Sequence, residues 1–330
     1  MTRLLIGNLD CETEMAGAPG LPAHVRQLIA RSALDMAVLA QPGDRLWTVE
    51  PVDGSVDDVE LVSGPLEDLA TADAILPWCE TRRVAALRAR CPAYTGNDRL
   101  WQAAPGGSGV SPTNDGVAPG LPGAAPDPVI VKRCNHRRFS FDLACQYDAL
   151  LPGAAIITAI DDLESILASP PGDQWVVKSP LSAAGRDRVR RRGPELDDDA
   201  RVRIGRLLEI FGELYFEPWM DRTADFGVAG IVVDTGARLF LPHRLINNEN
   251  GVYRGIEPID DAPAEIVDFA AHAGEALLDA GYRGAFGIDA FAYRTESGSE
   301  RVHPLCEINA RMTHGLLFAL RTRLSGGGCR

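Results

Sequence analysis

The sequence has no CxxC pair, no zinc-ligand spacing of cysteine and histidine, and no apolar run long enough to span a membrane. Each absence removes a class of function. Seven cysteines, an odd number without motif spacing, read as scattered reduced thiols, neither a disulfide framework nor a metal site, and this points to a cytoplasmic setting. The opening "MTRLLIGNLD" carries only three consecutive apolar residues before Gly7, so the expectation is a soluble, unprocessed chain without a membrane partner. Positive charge is also scarce. Against 46 Asp and Glu there are 33 Lys and Arg, a formal charge of -13, which argues against an extended nucleic-acid surface and makes any basic cluster a local matter. No Gly-x-Gly-x-x-Gly follows the first strand, which removes the dinucleotide fingerprint there.

What is present divides the chain. A length of 330 residues suggests two or three packed units. Residues 1–102 alternate strand and helix ("RLLIGN", a helix over about 22–40, "DRLWTVE", "DAILPW", a helix over about 80–90), the pattern of a small Rossmann-like α/β layer. Residues 103–128 hold six Gly and six Pro among 26 positions, too many breakers for regular structure, and read as a linker or loop. From Val129 to about residue 325 the pattern is α+β. It begins with "VIVKRC" as a strand, then a helix over about 140–151, strands "AAIITA" and "QWVVKS", and a helix capped by the aspartates near Asp197 and ended by Gly212. Strands "LYFEPW", "FGVAGIVV" and "ARLFLP", a helix over about 263–280, strands "GAFGIDAFAY" and "RVHPLCEIN" and a last helix near Met312 complete it; residues 326–330 form a frayed tail.

Asp289 and Glu307 each sit among apolar neighbours in a strand, where a carboxylate is costly without a cation or donors. A hairpin symmetric about Gly298 sets the two opposite each other, and Asn309, two residues beyond Glu307, shares its face. Three oxygen side chains then converge, a set suited to Mg²⁺, with a salt-bridged core pair as the plainer reading. Arg311 and His314 follow at the start of a predicted helix, where side chains and backbone N–H groups meet anions. A single histidine is as readily a partly buried hydrogen bonder. Glu217, Trp219 and Met220 in "FEPWM", with Asp225 eight residues past Glu217, form either an aromatic-ligand wall or an edge strand turning at Pro218. The basic run Arg190 to Arg192 reads as a solvated face, and His243, Arg244, Asn247, Asn248 and Arg254 as a polar stretch between strands that could bind a carboxylate.

Taken together, "WVVKSPLSAAGRDR", "FEPWMDRTADFGV", "GIDAF" and "EINARMTHG" resemble the ATP-grasp superfamily of carboxylate-amine ligases, over about residues 129–325, behind the α/β domain such enzymes often carry. The resemblance implies two α+β subdomains that sandwich ATP. It makes Lys178 a phosphate contact, Ser182 to Gly185 the loop closing over the triphosphate with Arg186 assisting, and Lys132, Arg137 or Arg138 the source of a second phosphate contact. It makes Glu217, Trp219 and Met220 the adenine hinge, Asp225 the ribose contact, Asp289, Glu307 and Asn309 the ligands of Mg²⁺ or Mn²⁺, and Arg311 the stabiliser of an acyl-phosphate or tetrahedral oxyanion. The implied reaction joins a small-molecule carboxylate to an amine, releasing ADP and phosphate, in an enzyme that can be a homodimer. A small-molecule kinase and a non-catalytic ATP-binding protein are the alternatives.

Overall fold

The computed structural model describes residues 2–69, 72–90, 125–181, 187–248, 253–259 and 261–326. The first sheet is built from β1 (Arg3–Gly7), β2 (Arg45–Thr48), β3 (Glu60–Val62) and β4 (Ala74–Pro77), with helices α1 (Cys11–Ala16), α2 (Ala23–Ala33) and α3 (Arg82–Arg88). Its order is β3-β2-β1-β4 and every pairing is parallel. β1 is buried on both faces, as a parallel sheet requires: Leu4 and Ile6 join Trp47, Ile75 and Val84, while Leu5 joins Met36, Leu39 and Leu46. The helix expected over 22–40 is α2 followed by a 3-10 turn over Leu34–Leu39, and α1 is an addition, since six residues are too few to show a helical period.

The segment "VIVKRC", expected as a strand, lies instead in helix α4 (Pro128–Asn135). Asp127 Oδ1 accepts the Val129 N–H at 2.7 Å and Pro128 opens the first turn, so local capping outweighs the β-branched run. Val131, Cys134 and Asn135 then face inward at helical spacing. A second helix, α5 (Arg137–Gln146), follows at once.

Next come β5 (Ala155–Ile157), α6 (Ile160–Leu167), β6 (Gln174–Lys178), β7 (Arg188–Arg192), α7 (Asp198–Phe211) and β8 (Leu214–Pro218). The four strands form an antiparallel sheet in the order β5-β8-β6-β7. One face is covered by α6 and α7, whose Leu163, Leu167 and Ile204 pack on Trp175, Val177 and Phe216. The arginine run expected to be a solvated face is thus the edge strand β7.

The third sheet has six strands, β9 (Asp221–Val233), β10 (Gly236–Leu239), β11 (His243–Asn247), β12 (Tyr253–Pro258), β13 (Gly284–Arg294) and β14 (Glu300–Asn309), followed by α9 (His314–Gly326); α8 (Ala264–Asp279) comes before β13. The order is β12-β11-β9-β13-β14, with β10 on the far half of β9. Phe286 and Ile288 of β13 face α8 and join the largest core with Ile266, Ala273 and Leu277; Asp289, Phe291 and Tyr293 therefore look the other way, toward the small sheet. Among the described residues no helix is long and apolar enough to cross a membrane.

Candidate active site

The face of the small sheet left free by α6 and α7 is set by strand alternation. Trp175 and Val177 point into its core, so Val176 and Lys178 point out. Cross-strand partners share a face, which adds Arg188 and Tyr215 beside Lys178, and Arg190 and Glu217 beside Val176. Lys178 Nζ makes a buried ion pair with Glu217 and lies 4.0 Å from Cys306 Sγ on β14, so this face meets the third sheet. Lys132 and Lys178 are the chain's two lysines. Burial works to raise the Glu217 carboxyl, but Lys178 and Arg137 outweigh it and hold it below the ordinary glutamate range.

On the opposing face β13 and β14 set Asp289 directly against Glu307, with Asn309 opposite Gly287. The pairing is the expected one, but the turn is not: Arg294 pairs with Glu300, which centres the hairpin on Ser297, and a register shift between Asp289 and Phe291 restores the opposition. Asn309 Nδ2 donates to Asp289 Oδ2 at 3.4 Å. Burial, reinforced by the nearby Glu307 charge, pushes the Asp289 carboxyl up to about 7. Among the described residues no group of three His, Cys, Asp or Glu gathers as metal ligands; here the third oxygen belongs to an amide.

Helix α5 delivers a cation to this carboxylate pair. Asn135 exchanges two hydrogen bonds with the Ala310 backbone, and Ser140 Oγ accepts the Ile308 N–H at 3.0 Å, so the α4–α5 junction is clamped along β14. Arg137 is thereby held with Nη2 3.4 Å from Glu307 Oε1, Nε 3.3 Å from the Ser179 carbonyl, and Nη1 buried without a partner among the described residues. Arg138 turns outward to Asp142 and Glu213, and Lys132 is exposed on α4. Of the three candidates for a second phosphate contact, the structure brings only Arg137 to the carboxylates.

Trp219 and Met220, expected in a hinge, line an open cleft of about 1130 Å³ together with Gln174, Arg190, Arg222, Asp225 and others. Trp219 N–H donates to the Gln174 carbonyl at 2.8 Å, and the Arg190 guanidinium lies 3.9 Å from the centre of the Trp219 ring. Arg222 pairs with Asp225 at 2.8 Å and covers Phe291 at 4.0 Å. Met220 packs with Leu151, Phe291, Tyr293 and Cys306. Ser182, Gly185 and Arg186 lie outside the described residues.

Arg311 reaches away from the cleft into the first sheet. Its Nη2 donates to Asn309 Oδ1 at 2.8 Å and its Nε to Glu12 Oε1 at 2.5 Å, while Trp78 packs 5.9 Å from the guanidinium. Burial opposes the charge, and Glu12 more than restores it, raising the Arg311 pKa above the ordinary value. Glu12 and Trp78 carried no motif in the sequence; the available signal was their position just past β1 and β4, at the carboxyl ends of parallel strands. The stretch expected as a polar loop is the strand pair β11 and β12, and His243 is buried there, not presented to a ligand.

No protein-family model and no curated protein sequence matches this chain. Solved structures do match. A D-cycloserine synthetase aligns over 98% of this chain and 100% of its own at 15% identity, TM-score 0.52. D-alanine–D-alanine ligase from Bacillus anthracis aligns over 98% and 92% at 13% identity, TM-score 0.50, and an N5-carboxyaminoimidazole synthetase from Staphylococcus aureus, complexed with ADP, over 95% and 71% at 12% identity, TM-score 0.50. With a small antiparallel sheet set against a larger one behind a parallel layer, the chain has the ATP-grasp fold.

Proposed function

We propose that this chain is an ADP-forming ligase that joins a small-molecule carboxylate to an amine through an acyl phosphate. The observation that carries the reading is the approach of two cations to one strand pair: Arg137 to Glu307 and Lys178 to Cys306 of β14, which with β13 sets out the Asp289, Glu307 and Asn309 oxygens. Residues 1–102 would hold the preceding α/β unit and 129–325 the nucleotide-binding part; most of 103–128, expected as a linker or loop, lies outside the described residues. An ADP complex of one fold relative supports nucleotide binding.

The oxygens fit a hard divalent cation. Two half-buried carboxylates face each other with an amide N–H of Asn309 and the guanidiniums of Arg137 and Arg311 nearby, and the Asp289 carboxyl is still biased toward protonation, a strain that a cation relieves. Asp289, Glu307 and Asn309 would hold Mg²⁺, which when bound draws charge from phosphate oxygens. The chain's own groups do the rest. Trp219 and Met220 wall the base and Asp225 accepts from the ribose. Lys178 and Nη1 of Arg137 hold phosphate oxygens in line with the substrate carboxylate, and Arg311, on exchanging Asn309 Oδ1, donates to the oxyanion that forms on the acyl carbon. Lys178 must exchange Glu217 for phosphate, and Arg137 remains beside Glu217 to balance it.

The test is ADP release measured against pools of carboxylates and amines, with product masses. Release that needs both substrates, and a hydroxamate when hydroxylamine replaces the amine, supports the reading. A phosphorylated alcohol as product makes the chain a kinase; an adenylate product removes the acyl-phosphate route.

A further inference from the structure

His314 is the one residue of the "EINARMTHG" motif that is described, chemically competent and unused by the mechanism above. It begins α9, where its ring is held on three sides. Nδ1 lies 3.3 Å from Asp35 Oδ2, the Tyr253 ring stacks on it at 5.4 Å and 14°, and the Trp78 ring lies 5.0 Å away on the first sheet. Trp78 also packs against Arg311, so His314 stands one ring away from the group that reaches Asn309. Among the described residues the charged and titratable groups facing this place are Asp35, Arg321 at 3.6 Å from Asp35, Arg311 across Trp78, and the Tyr253 hydroxyl. The side chain keeps 24% of its surface open.

Topology says what lies beside it. In the first sheet β2 and β3 extend to one side of β1 and β4 to the other, so the chain order reverses between β1 and β4. Ligands of open parallel sheets enter at the carboxyl ends of strands at such a reversal. Trp78 leaves β4 at that end, Asn8 leaves β1, and the Met312 N–H bonds the Trp78 carbonyl at 2.9 Å. Motif and reversal point are thus stitched together.

We propose that His314 is the general base that takes the proton from the amine nucleophile, an inference that rests on the ligase reading. With Asp35 accepting from Nδ1–H, the free electron pair of the neutral ring is on Nε2. As the amine nitrogen bonds to the acyl carbon, its proton passes to Nε2; the bond from carbon to the phosphate oxygen breaks and phosphate leaves with the electron pair. The imidazolium returns its proton to solvent. Asp35 is a positioning residue, and the Trp78 and Tyr253 rings keep the imidazole from turning.

Hydroxylamine separates the two half-reactions, because it is a nucleophile in its neutral form at pH 7 and traps an acyl phosphate without help from a base. The probes are the twenty standard amino acids as carboxylates, with either hydroxylamine or L-alaninamide as the amine. In His314→Gln, hydroxamate formation is expected to stay within about threefold of wild type, while amide formation falls about 10²- to 10⁴-fold and its pH profile loses the limb set by histidine. Asp35→Asn should show a smaller loss in the same arm. Independently of substrate, ¹⁵N spectra of the neutral ring should place the proton on Nδ1 in wild type and mix the tautomers in Asp35→Asn. Amide formation within about threefold of wild type overturns the proposal, and so does an equal loss in both arms, which marks a structural role. A wild-type enzyme that makes amide without any hydroxamate removes the acyl-phosphate reading instead, and this proposal with it.

Discussion

Because Lys178 and Glu217 are paired on the cleft face with side-chain exposures of only 9% and 14%, Lys178→Ala changes two things at once. It removes the proposed phosphate contact and leaves a carboxylate buried with Arg137 as its remaining neighbour. The variant should therefore bind ATP more weakly and also lose about 3 kcal/mol of stability. Denaturation midpoints beside ATP titration check this; an unchanged midpoint would show that Glu217 does not depend on the pair. Asp289→Asn is expected to do the opposite to stability. Among the described residues no ion pair reaches Asp289, and it opposes Glu307 with more effect than the more distant Arg311 offsets, so the metal-free variant should be about 1 kcal/mol more stable while Mg²⁺-dependent ADP release is lost. A destabilised variant would mark Asp289 as a structural partner.

At the scale of elements, β11 presents His243 to a gap that two glycines keep open. A Cβ on Gly227 of β9 would lie 2.4 Å from its Nε2, and one on Gly315 of α9 would lie 2.3 Å from its Cε1. Burial lowers the His243 pKa to about 4, and does the same to His303 on β14. The folded values lie below the unfolded value of about 6.5, so between these limits the unfolded chain binds more protons. Stability from both rings is complete above about pH 6.5 and is lost as pH falls toward 4. NMR titration of the two rings beside unfolding midpoints at each pH checks the window; a ring titrating near 6.5 would count against its neutral burial. The strands that carry Lys178, Glu217, Asp289 and Glu307 were legible because alternating apolar runs and turn residues bounded them. The segment "VIVKRC" was not: a three-residue apolar run has no period of its own, and the Asp127 cap decided it. Nor was β7 legible, since a strand made of arginines carries its pairing only in its partner β6.

Across the whole molecule the connections least visible in the chain are those between its two ends. Glu12 and Arg311 are 299 positions apart, and nothing local to either residue announces the ion pair that joins the parallel sheet to the motif after β14. Glu12→Gln should leave Arg311 underpaired in a buried place and cost about 3 kcal/mol, and it should slow ligation more than it weakens ATP binding, because Lys178 and Trp219 are untouched. Stability and both kinetic constants for ATP decide it; a rise confined to the KM for ATP would sink the assignment. The scarcity of lysine has a practical use of a different kind. With Lys132 exposed and Lys178 enclosed by Glu217, an amine-reactive ester has two ε-amino targets of opposite accessibility in one chain. Lys132 then serves as an internal standard for reagent strength, and the ratio of the two labels, read by mass spectrometry of the digest with and without added ATP, becomes a direct gauge of how far the Lys178 amine is covered.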